Sequence, residues 1–174
     1  MGARALAGEE QDHTMGLLLA SPLSRGRIVL TKAAVMVALT AVIGVATFVG
    51  TWGGVALGGV DLPTEGIAAT SLLVALLALG FGGVALLLSA LSGRTSYAAY
   101  GATAFALIGY FVWSFLSVNE NTEAWSRVSP FHFFLGGDPL TNGLAWGDAA
   151  VLLAVFAVGV GLAVPAFQRR DLRG

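Results

Sequence analysis

The sequence contains no cysteine, which excludes a disulfide framework, a lipid-bearing thiol and thiolate chemistry. It is also poor in charge. Only 11% of its 174 residues are Asp, Glu, Lys or Arg, against about 25% in average soluble proteins. Its two histidines, His13 and His132, each stand alone, so neither has the partners of a metal or acid–base site. Paired carboxylates are missing from every apolar tract, which argues against intramembrane proteolysis and metal-dependent membrane chemistry. The glycine cluster Gly80-Phe-Gly-Gly83 lacks the Lys-Ser/Thr of a nucleotide-binding loop. No enzymatic set remains.

What is present is apolar. Hydrophobic residues make up 56% of the chain, and its mean hydropathy is +0.82. Four tracts, at 29–57, 67–91, 96–118 and 148–167, each supply the roughly 20 apolar residues that cross a bilayer core of about 30 Å. The first is longer than needed, so it either tilts or ends near Trp52 and continues as a turn. A transmembrane β-barrel would need segments of about ten residues with alternating polarity, and these tracts are apolar throughout. A buried soluble core would need polar faces to cover it. The expected fold is an all-α polytopic helical membrane protein.

Charge distribution orients it. With the N-terminus in the cytoplasm, Arg4, Arg25, Arg27, Lys32, Arg94, Arg169, Arg170 and Arg173 fall inside and only Arg127 falls outside, as the positive-inside rule prefers. Trp52, Trp113, Trp125 and Trp146 then fall at or beyond the outer ends of spans, where indoles favour the interface. Both termini are expected inside, with external loops near 58–66 and 119–147 and a tight internal turn at 92–95. A cleavable signal peptide is not expected, because the first 27 residues are polar and acidic. Lys32 is near one end of the first span and Asp148 at the lip of the fourth. No ionisable residue occupies a span's body, although ion-coupled carriers generally need one there or a broken helix. Uphill transport by such a chain would draw its energy from another subunit. Small residues at Gly50/Gly54/Gly58, Ala98/Ala102/Ala106 and Gly80–Gly83 offer close helix contacts, or reflect the general Gly and Ala richness of membrane helices. Thr40, Thr47, Thr70, Ser71 and Thr103 could line a polar path, but such residues more often bond their own backbone.

Two polar segments stand out. In the first, Glu9, Glu10 and Asp12 precede an apolar stretch with Met15, Leu18 and Leu19 on one helical face. Arg25 and Arg27 follow, the polarity a helix dipole favours. Pro22 stops the helix and disfavours helical geometry at Ser21. The expectation is a short cytoplasmic helix, a sharp turn and a basic anchor, over residues 1–28, ahead of a membrane domain over 29–174. A simple juxtamembrane amphipathic segment is the alternative. The second segment places Phe131, Phe133, Phe134 and Leu135 between Pro130 and the turn signal Gly136-Gly-Asp138-Pro139. So much apolar surface suits an external re-entrant or interfacial helix better than a bare loop. It either plugs the exit of a pathway or only anchors at the interface.

In order along the chain, Glu9-Glu10, Thr14, Leu17-Leu18-Leu19, Pro22, Ser24-Arg25 and Lys32 are followed by Ser129-Pro-Phe131, Asp138-Pro-Leu140, Asn142-Gly143 and Arg169-Arg-Asp-Leu172. This series resembles the latter part of an ABC transporter permease of the type-2 exporter family, over residues 7 to 173. His13 and Gly16 depart from the family pattern, which often has Gly and a charged residue there. The resemblance implies a membrane-spanning permease subunit of an ATP-driven exporter. Its loop would form a coupling helix resting on a separate cytoplasmic ABC ATPase, with a second permease copy or homologous half completing the pathway. Carried onto this chain, the ATPase-coupling residues are Glu9, Glu10, Thr14, Leu17, Leu18, Leu19, Pro22 and Arg25, and the external segment comprises Pro130, Phe131, Phe133, Phe134, Asp138 and Pro139. Hydrolysis would occur on the partner, so the chain itself is not expected to be an enzyme and needs no cofactor. Relatives usually have two further spans before the loop, so the chain is expected to be a fragment, a truncated gene product or a mis-called start. Apolar helix walls favour lipophilic cargo, and nucleic acid is not an expected partner. Arginine outnumbers lysine eight to one, which with abundant Ala and Gly suggests a GC-rich bacterial genome and a bacterial plasma membrane. A non-transporting scaffold or sensor, binding a cytoplasmic regulatory partner through its first helix, is the alternative function.

Overall fold

In the computed structural model, residues 2–4, 24–118 and 123–169 are described. Gly2–Arg4 form a 3-10 turn. Four long helices follow: α1 (Arg25–Gly58), α2 (Thr64–Ser92), α3 (Thr95–Leu116) and, after three single-turn helices, α7 (Trp146–Arg169). The short helices are α4 (Glu123–Ser126), α5 (His132–Leu135) and α6 (Pro139–Asn142). The described residues contain no strand. All four long helices are long and apolar enough to cross a membrane. In lipid this is the stable solution, because a helix satisfies its own backbone groups.

Local chemistry sets the helix ends. Ser24 caps α1, its hydroxyl accepting from the Arg27 N–H at 3.3 Å. At the other end Gly59 takes φ +65°, and the Val60 N–H reaches the Val55 carbonyl at 3.3 Å, the closing bond of a Schellman motif. Helix α1 therefore runs unbroken past Trp52, and the alternative of an earlier turn there does not occur. Its 34 residues reach roughly 50 Å at 1.5 Å per residue, which implies tilt or a protruding end. Gly93, with φ +62°, ends α2, and only Gly93 and Arg94 separate it from α3. In α7, Asp148 lies in the first turn and Arg169 in the last, both complementing the helix dipole.

The chain divides into two compact units. The first comprises residues 1–38, 80–106 and 154–174. Val29, Leu86, Ala90, Ala98, Ala163 and Phe167 are almost wholly buried in its core. Its helices approach through small residues. A Cβ on Gly159 would come within 2.7 Å of the Gly83 carbonyl carbon, and one on Gly83 within 3.0 Å of the Phe156 backbone. Phe81 and Phe105 add an edge-to-face pair with centroids 6.0 Å apart.

The second unit comprises residues 39–79 and 107–153. Ile67, Leu73 and Ala149 are buried in it. Gly44 faces the Ala75 methyl group. By contrast, nothing lies within 4 Å of a Cβ built on Gly50, Gly53 or Gly54. That part of α1 carries exposed Val42, Val45 and Val49, so its small-residue face makes no close contact among the described residues.

Candidate functional site

The first unit concentrates positive charge. Its described residues include Arg25, Arg27, Lys32, Arg94 and Arg169. Arg25 sits in the first turn of α1, where its Nη1 donates to the Gln168 carbonyl near the end of α7 at 3.3 Å. That carbonyl belongs to the electron-rich C-terminus of a helix, where a cation is favoured. Arg94 lies over the Tyr97 ring, 5.5 Å from its centroid. The 3-10 turn packs onto α2. A Cβ on Gly2 would lie 2.6 Å from the Gly82 carbonyl oxygen, and the buried Ser89 hydroxyl donates to the Ala3 carbonyl at 3.1 Å. The two described stretches flanking residues 5–23 are thus both seated on this unit.

The second unit is acidic among its described side chains, with Asp61, Glu65, Asp138 and Asp148 against Arg127. Its distinctive part is the segment from α4 to α6. Ser129 is buried, donates to the Gly109 carbonyl of α3 at 2.7 Å, and accepts from the Phe131 N–H at 3.2 Å. Tyr110 and Phe131 meet edge to face at 5.5 Å. Pro130 and Pro139 are buried, while Phe131, Phe133 and Phe134 are partly so. Asp138 adopts φ 45°, a left-handed conformation that Asp tolerates better than bulkier residues. Its carboxylate accepts from the Thr141 hydroxyl at 2.6 Å, and Pro139 opens α6 at a position where no N–H is needed. The Leu140 carbonyl lies directly against Gly66 at the start of α2, where any Cβ would overlap it. His132 Nδ1 is 3.3 Å from the Ser126 hydroxyl, and no group of three or more potential metal ligands exists among the described residues.

In the same unit a cavity of about 310 Å3 opens between α1 and α2, lined by residues that include Gly44, Phe48, Ser71 and Ala75. Its walls are apolar except for Ser71. No Asp, Glu, Lys, Arg or His lies in the central part of α1, α2, α3 or α7. Such walls suit apolar or amphipathic molecules and lack the charges of an ion-coupled carrier.

The family model described as "ABC-2 family transporter protein" matches residues 1–172. The chain belongs to the ABC-2 transporter family. It is a multi-pass membrane protein and a permease component of an ABC transporter. No curated protein and no solved structure gives a match.

Of the expected coupling residues of this ABC-2 permease, Glu9, Glu10, Thr14, Leu17, Leu18, Leu19 and Pro22 lie outside the described residues. Arg25 is placed at the end of α7. Pro130, Phe131, Phe133, Phe134, Asp138 and Pro139 fall together in the short-helix segment. Ser129 and Gly66, which fasten that segment to α3 and α2, were not singled out for those roles from the sequence. Ser129 appeared only as the first residue of a Ser-Pro-Phe motif. Gly66 carried no motif at all, since its contact is with a backbone 74 positions later.

Proposed function

We propose that this chain is the membrane subunit of an ATP-driven exporter, coupled to a separate cytoplasmic ABC ATPase through residues 1–28. In this reading residues 29–174 form the membrane domain, both termini are cytoplasmic, and the membrane is the bacterial plasma membrane. The observation that carries the coupling is the seating of both stretches flanking residues 5–23. Ala3 is held by Ser89 of α2, and Arg25 holds the end of α7. A push on the intervening segment would reach two spanning helices through short, defined contacts. The absence of Asp, Glu, Lys, Arg and His from the helix centres supports an external energy source.

The concentration of basic residues in the first unit supports a cytoplasmic position for it. A second permease copy or homologous half is supported by α3, where Leu107, Ile108, Phe111 and Phe115 are exposed. The apolar cavity wall supports a lipophilic substrate. Export, rather than uptake, follows the family resemblance of the loop.

The test is purification with its ATPase, followed by charge reversal at Glu10. Glu10→Lys is expected to leave the complex's ATP hydrolysis measurable while transport falls at least ten-fold. A protein that purifies without any ATPase, and whose Glu10→Lys variant behaves as wild type, would instead fit a scaffold or sensor. A cytoplasm-only reporter fused after Gly174 should be active, and its silence would overturn the orientation.

A further inference from the structure

In the first unit, α2 and α7 leave a groove of about 540 Å3 lined by Leu87, Leu91, Leu162, Pro165, Ala166 and Arg169. Small-ligand sites span roughly 300–1,000 Å3, so the volume is sufficient for a ligand. Five of the six lining residues are apolar and the sixth is a cation at the C-terminal end of α7. Leu91 and Leu162 are both more than half exposed along it. The volume and lining chemistry therefore ask for an amphiphile, with an apolar tail along the leucines and an anionic head beside the guanidinium.

We propose that this groove binds one anionic glycerophospholipid of the surrounding membrane. Its acyl chain lies along Leu87, Leu91 and Leu162, and its phosphate pairs with Arg169. Three observations select this occupant. Helices α2 and α7 are both candidate membrane spans, so the groove's apolar wall belongs to helices suited to a lipid environment. The guanidinium offers a planar fork that matches phosphate oxygens in pairs. Arg169 is exposed at its end of the groove. Basic pockets between spanning helices are a recurrent form of anionic headgroup recognition. A zwitterionic lipid would bring its own cation to the same place and gain less.

The experiment needs neither ATPase nor transport, so its outcome is independent of the proposed export function. The full chain is purified in a non-ionic detergent and titrated with phosphatidylglycerol or phosphatidylcholine, with bound lipid counted by native mass spectrometry. Wild type should hold one phosphatidylglycerol with about a five-fold preference over phosphatidylcholine, the size one cation near an anionic headgroup supplies. Arg169→Gln, an exposed change, should bring the preference close to one, while Arg27→Gln, an exposed change outside the groove lining, should preserve it. Ala166→Trp, which fills the apolar wall, should lose binding of both lipids. Equal binding of both lipids by wild type would overturn the proposal. So would equal losses in Arg169→Gln and Arg27→Gln, which mark general charge attraction. Displacement of the lipid by millimolar inorganic phosphate would reassign the site to a free anion.

Discussion

Gly159 of α7 lies against the backbone of Gly83 in α2, close enough that a Cβ at position 159 would come within 2.7 Å of the Gly83 carbonyl carbon. The obstacle is backbone, so no flexible side chain can move aside. In lipid, where apolar burial gives little drive for helix association, such close approach is a main source of packing energy. Gly159→Val should therefore push α2 and α7 apart and destabilise the first unit by about 1–3 kcal/mol, the usual cost of overpacking. Thermal unfolding in detergent measures it. Gly53→Ala is the control: with open space around it, it should be neutral or slightly stabilising.

Gly66 has the corresponding role in the second unit. Its missing side chain is what allows the Leu140 carbonyl to rest on the first turn of α2. Gly66→Ala should displace the α5–α6 segment, and limited proteolysis between residues 126 and 143 should become several-fold faster. An unchanged cleavage rate would show that the contact does not hold the segment.

Thr70 presents the opposite case, a polar atom with nothing to bind. Its Oγ1 is buried without a hydrogen-bond partner. An unsatisfied buried hydroxyl costs about 1–3 kcal/mol, whereas an apolar group of the same shape removes that cost. Thr70→Val should raise the unfolding temperature. A fall would mean that the hydroxyl bonds to something bound at the site, and an exposed change such as Ser117→Ala should alter little.

The absence of cysteine gives a direct check of the packing between α1 and α2. A Cβ on Gly44 lies 3.2 Å from the Ala75 Cβ, and a disulfide needs about 3.5–4.5 Å, a small relaxation. The Gly44→Cys/Ala75→Cys pair should close quantitatively on mild oxidation, seen as the loss of free thiol without dimer formation. The Gly53→Cys/Ala75→Cys pair should remain reduced.

The sequence alone carried the membrane class, the number of long helices and much of their extent. Tract length and uniform apolarity leave a helix as the stable way to satisfy the backbone in lipid, and Gly59 and Gly93 stop α1 and α2 through a backbone conformation that glycine adopts cheaply. The motif order also carried the family, because it depends on linear spacing. Which small residues make contacts was decided by tertiary structure. Gly50 and Gly54 look like a packing motif yet face open space, whereas Gly159 and Gly66, in no marked motif, meet backbone from distant parts of the chain. Small residues are frequent along membrane helices, so spacing within one helix cannot name its neighbour. Gathering Arg25 and Arg169 at one helix end, and fastening Ser129 to Gly109, likewise required the fold. Those contacts join residues separated by 20 positions or more, and only the packing of one helix on another brings them together.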